Sequence, residues 1–166
     1  MKIGIDIFGP TASSDGLDTE VEFTSLYGIT AALSLRRRNH VVYVSSDSAD
    51  SIRATRQNSR HLNLVLLCRV GRGGCGTIII HPRTSSLNRK RAMKAAACLA
   101  HELGYPIAVR EAAAADGTLE ILRPYKAFVW ALELIPTSSP FSSGQALVNA
   151  LQYAYDVQRQ GTRCAG

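Results

Sequence analysis

Leu62-Asn63-Leu64-Val65-Leu66-Leu67-Cys68, followed after a glycine-rich turn by Gly76-Thr77-Ile78-Ile79-Ile80, decides the fold class of this 166-residue chain. Each run is apolar at consecutive positions rather than at every second one, as a strand covered on both faces requires. A sheet with one wet face would alternate instead. Both runs therefore predict inner strands of a sheet enclosed by helices.

On the N-terminal side, Lys2 to Ile7 reads as a first strand, and Gly9-Pro10 with Ser13-Ser14-Asp15-Gly16 supplies turn chemistry. Thr19 to Arg38 has helical periodicity and Asn39 suits its left-handed C-terminal cap. His40 to Ser45 is a β-branched run and Asp47 to Arg60 a second helix. On the C-terminal side, Leu87 to Leu103 predicts a helix stopped by Gly104 and Pro106. Leu119 to Leu122 and Ala127 to Ile135 read as two strands parted by Pro124, with Trp130 in the core, and Ser142 to Gln160 as a closing amphipathic helix. Strands alternating with helices predict an α/β fold, a mainly parallel twisted sheet of about five or six strands flanked by helices. One domain over residues 1–160 with a tail at 161–166 is expected.

Composition bounds the function classes. With 46% hydrophobic and 19% charged residues the chain can build a core. Its four cysteines, Cys68, Cys75, Cys98 and Cys164, have no C-x-x-C spacing, so they read as free thiols rather than a zinc ribbon or a disulfide framework. The net charge of +6 is unevenly spread: Arg36 to Lys94 holds thirteen basic and two acidic residues, a surplus of eleven, which leaves the flanks at −5 together. Such a basic section suits an acidic partner: a protein surface, an anionic wall polymer or nucleic acid. The last is not expected, because no helix-turn-helix or aromatic stacking platform is present. The Gly71-Arg72-Gly73-Gly74 turn lacks the lysine and hydroxyl residue of a P-loop. No stretch has the length of a membrane span or a signal h-region.

The order of segments and several particular residues resemble the zinc-dependent N-acetylmuramoyl-L-alanine amidase family, which cleaves between muramic acid and the stem peptide of peptidoglycan. Met1-Lys2-Ile3-Gly4-Ile5-Asp6-Ile7 is similar to that family's first strand, Glu20 falls where it opens its first helix with a zinc-binding glutamate, and Glu22 is a near alternative. Gly76-Thr77-Ile78-Ile79-Ile80-His81-Pro82 resembles the strand after its zinc motif. Leu119-Glu120-Ile121-Leu122-Arg123 with Ala127-Phe128-Val129-Trp130-Ala131-Leu132-Glu133 follows its last conserved stretch, and the resemblance puts Glu133 on the catalytic glutamate.

Two departures carry the functional expectation. Where the family's first strand ends in Gly-His, this chain has Phe8-Gly9; where the second zinc histidine stands, it has Leu67-Cys68-Arg69-Val70-Gly71. A catalytic zinc site needs about three protein ligands and an open position for water. Of the family's three ligands the resemblance leaves Glu20 alone, and Arg69 brings a permanent cation that cannot ligate metal. Arg69 is therefore expected to pair with Glu20 or Glu133. The cleft would be lined by Phe8, Glu20, Cys68 and Arg69 with Glu133 vestigial and no cofactor bound. The resemblance then implies a non-catalytic structural or binding component of a cell-wall or phage-associated assembly, in the bacterial cytoplasm or in a phage or phage-like particle, with a protein partner or oligomer, peptidoglycan or an acidic wall polymer as ligands. The alternative is an active, divergent amidase whose zinc is held by other donors, for which His40, His61, His81, His101, Cys68 and Cys75 have the right chemistry.

Overall fold

The computed structural model describes residues 1–7, 18–46, 50–71, 73–137 and 139–161. The chain runs β1 (Lys2–Ile7), α1 (Asp18–Arg37), β2 (Val41–Ser45), α2 (Asp50–Asn58), β3 (Leu64–Val70), β4 (Gly76–Ile80), α3 (Ser86–Leu103), β5 (Ile107–Glu111), α4 (Thr118–Leu122), β6 (Phe128–Leu134) and α5 (Pro140–Gly161). Six strands form one sheet in the order β2-β1-β3-β6-β4-β5. All neighbours are parallel except β4 and β6, which are antiparallel. The expected α/β class and mainly parallel sheet are therefore observed.

The two apolar runs are inner strands, as their patterns require. Leu64, Leu66 and Cys68 face a large core with Ile3, Ile5, Ile7, Ile78, Ile80, Trp130 and Leu132, covered by α1, α3 and α5. Val65 and Leu67 face a smaller core with Ile79, Val129, Ala131 and Leu122 of α4. Helix α5 lies close against α1 at Gly144, where a Cβ would fall 2.7 Å from the Tyr27 carbonyl oxygen. Asn39 takes φ 62° after α1 and Gly104 φ 74° after α3, the left-handed caps the sequence predicts.

Two elements differ from expectation. Leu119 to Leu122 is a short helix and not a strand. The Asp116 carboxylate accepts from the Thr118 N–H at 3.0 Å and from its hydroxyl at 2.5 Å, and Gly117 takes φ 71°, so Asp-Gly-Thr starts a helical turn. A four-residue Leu-Glu-Ile-Leu pattern satisfies i,i+3 as readily as it satisfies alternation, and this local capping decides. The second difference is β5, an edge strand absent from the sequence reading. It shows only five residues of pattern, two of them exposed and none fully buried, beyond the Gly104 and Pro106 stop. The predicted start of the second helix at Asp47 lies outside the described residues.

Candidate functional site

Strand β3 pairs with β6 in a register that sets Arg69 opposite Glu133. Both residues have the parity of Val65, Leu67, Val129 and Ala131, so both point to the α2/α4 face at the C-terminal tips of the central strands. Arg69 Nη1 lies 3.4 Å from Glu133 Oε1, with the side chains 26% and 22% exposed. The expected ion pair is thus present, and the backbone ladder imposes it. Thr77 of β4 stands opposite Glu133 on the other side. Gly71 lets the chain turn close over this tip: its N–H donates to the Leu134 carbonyl at 2.8 Å, and a Cβ there would sit 3.0 Å from the Glu133 carbonyl oxygen.

The opposite face holds the same tip from behind. Tyr27 of α1, fully buried, directs its hydroxyl at the carbonyl oxygens of Arg69 and Leu132, at 3.1 and 3.3 Å. Burial, then the neighbouring Cys68, pushes its phenol well above the usual tyrosine range. Cys68 shares this face. It is fully buried, and burial pushes its thiol up to about 12, against the lowering effect of a hydrogen bond with Tyr27. The expectation that Cys68 lines the cleft with Arg69 is corrected here, because successive residues of a strand point to opposite faces. Phe8 lies outside the described residues; Glu20 belongs to the first turn of α1, and its side chain is likewise outside them.

Below the ion pair, sequence reading missed a buried polar cluster. Asp6 of β1 stands beside Leu67, one side-chain row or ~7 Å down the sheet from Arg69 on the same face. Its fully buried carboxylate accepts from Gln57 Nε2 at 2.5 Å and from the Tyr125 hydroxyl at 2.6 Å. Arg53 of α2, 2% exposed, also bonds Tyr125. Burial first, and then the Asp6 charge, hold the Tyr125 phenol far above its ordinary value. The cluster ties β1, α2 and the segment after α4 together under the tip. An aspartate inside an otherwise apolar strand was the available signal.

Metal-binding capacity follows from the donors. Among the described residues no three His, Cys, Asp or Glu side chains group closely enough to hold an ion. His40 and His61 precede β2 and β3, and His81 follows the antiparallel β4, so all three occupy the end of the sheet opposite the Arg69–Glu133 tip. The His81 Nδ1 accepts from the Arg83 N–H at 3.1 Å. His101 is exposed in the last turn of α3, and the Cys75 thiol donates to the Gly76 carbonyl at 3.1 Å. The described donors do not fit a zinc ion at this tip, where a guanidinium stands instead.

No protein-family model matches the sequence, and no curated protein matches it. Solved structures do. An N-acetylmuramoyl-L-alanine amidase from Clostridium difficile 630 superposes with a TM-score of 0.76 at 12% identity, covering 93% of this chain and 96% of that one. The N-acetylmuramoyl-L-alanine amidase AmiC2 of Nostoc punctiforme gives 0.74 at 12% identity, covering 96% and 98%. The catalytic domain of the CD27L endolysin targeting Clostridia difficile gives 0.68 at 17% identity, covering 91% and 96%. Over nearly its whole length, the chain has the fold of the N-acetylmuramoyl-L-alanine amidases.

Proposed function

We propose that this chain is a non-catalytic amidase-fold module that serves as a structural or binding component of a cell-wall or phage-associated assembly. The observation that carries the reading is the Arg69–Glu133 pair. Glu133 is the residue that the family resemblance makes catalytic, and here its carboxylate faces a permanent cation. A guanidinium at the strand tip repels a dication electrostatically and offers it no lone pair. Without a metal, the water that a carboxylate at this position would deprotonate keeps its ordinary high pKa, and no Lewis acid polarises the scissile carbonyl. The pair instead presents a donor fork beside an acceptor, both about a quarter exposed, which suits polar ligand groups such as those of peptidoglycan. The absence of bound metal, the structural role and the wall-associated setting all belong to this proposal.

The test uses the purified chain. After dialysis against zinc, the metal is quantified, and the protein is pelleted with cell-wall sacculi and assayed for release of soluble fragments. The expected result is co-sedimentation without fragment release and with less than stoichiometric zinc. Stoichiometric zinc together with sacculus lysis would overturn the proposal in favour of a divergent active amidase.

A further inference from the structure

The sheet ends at β5, and among the described residues no strand follows it. Two bonds of the ladder fix its outward-facing groups: the Gly76 N–H donates to the Pro106 carbonyl at 2.9 Å and the Ala112 N–H to the Ile80 carbonyl at 2.8 Å. In a parallel pair, alternate residues bond the neighbour. The even-numbered positions from Pro106 to Ala112 therefore face β4, and the N–H and C=O groups of Ile107, Val109 and Glu111 point to the open edge. Beside that edge, between β5 and α3, runs a groove of about 370 Å³ lined by Arg89, Met93, Ala96, Ala97, Ile107 and Val109. Its lip is apolar, with Met93 58% exposed.

Charge selects the occupant. Arg89 is matched by Glu111 at 2.6 Å, Arg110 by Asp116 at 2.7 Å, and Arg91 is turned over the Tyr155 ring at 4.4 Å. Lys90 and Lys94 remain as a surplus on the solvent side of α3, whose first turn has no acidic residue and whose one acid is Glu102. The positive end of the helix dipole adds to them. We propose that the β5 edge docks an extended segment of an acidic partner protein, which adds a strand beside β5 and seats alternate apolar side chains in the α3–β5 groove. A second copy of this chain fits less well: edge-to-edge pairing would bring two α3 helices, with Lys90 and Lys94 on each, side by side on molecules of net charge +6.

The experiment is an NMR titration of the ¹⁵N-labelled chain with a synthetic peptide of alternating valine and glutamate, alongside its valine–lysine counterpart. The amides of Ile107, Val109 and Glu111 should shift most with the acidic peptide, and binding should weaken as salt rises. Val109→Pro removes one outward donor and leaves the β4 ladder intact, so it should weaken binding about tenfold. Should that variant lose its native circular dichroism, Met93→Glu, at an exposed position, gives the same reading with a loss of about tenfold. Equal binding of the lysine peptide, or shifts that avoid the edge, would overturn the proposal. So would a dimer in sedimentation that Val109→Pro dissolves, since that outcome assigns the edge to a second copy.

Discussion

Cys68 and Arg69 are adjacent in sequence and meet different worlds, one a closed core and the other a half-open tip. The thiol gives this a measurable form. Its folded value of about 12 exceeds the ordinary 9.0, so between the two values the unfolded chain has lost a proton that the folded chain keeps. The folded state then binds more protons, and stability falls as pH rises. Stability should be fully present below about pH 8 and decline above about pH 9, with a slope of ~1.4 kcal/mol per pH unit from this group. Tyr27, also raised by burial, steepens the decline at higher pH. Urea unfolding at stepped pH should show the decline, and Cys68→Ala should flatten its first part; an equally steep limb in the variant would assign the effect elsewhere.

Among elements, the contact of α1 with α5 is the most sharply constrained. Alanine at position 144 would gain about 1 kcal/mol of intrinsic helix propensity over glycine. Its Cβ would, however, meet the Tyr27 carbonyl oxygen and Thr30 Cβ, both at 2.7 Å. Overpacking of this kind costs about 1–3 kcal/mol. Gly144→Ala should therefore destabilise the protein by a net of up to about 2 kcal/mol, seen as a lower thermal midpoint; a stabilised variant would show that the two helices can part freely. The same scale explains what the sequence made legible. Inner strands β3 and β4 announce themselves through their apolar runs, β1 through its alternating isoleucines and β6 through Phe128 to Leu132, and Asn39 and Gly104 mark helix ends through the conformations they permit. The edge strand β5 and the turn of α4 do not, because exposure on one side dilutes their patterns and Asp116 with Thr118 decides α4 through local hydrogen bonds. At the site, the family resemblance anticipates an ion pair of Arg69, with Glu20 and Glu133 both open as its partner, whereas Asp6 in β1 is the one sequence signal of the buried cluster. Its partners Arg53, Gln57 and Tyr125 come from segments that only the folded sheet brings together.

At the scale of the whole molecule, cohesion comes from a continuous sheet with helices on both faces, and among the described residues no three His, Cys, Asp or Glu side chains are grouped to hold a metal ion. A ligand present at a hundred times its dissociation constant stabilises a fold by about 2.7 kcal/mol, enough to move a midpoint by several degrees. Addition of zinc or of EDTA should accordingly leave the thermal midpoint unchanged to within about 1 °C. A midpoint that rises with zinc and falls with chelator would locate a metal site involving groups beyond the described ones. Among the described residues no helix is long and apolar enough to cross a membrane.

The strand order has a consequence for the number of ligands the two proposed sites could hold at once. The groove beside β5 opens on the face covered by α3, and the Arg69–Glu133 tip opens on the other, two to three strand spacings or roughly 10–14 Å away across the sheet. Occupants of the two positions would not compete for space. Were both proposed occupants to bind, the molecule would act as a two-valent connector: gripping one chain at the sheet edge would leave the strand tips free to meet another and raise its local concentration there.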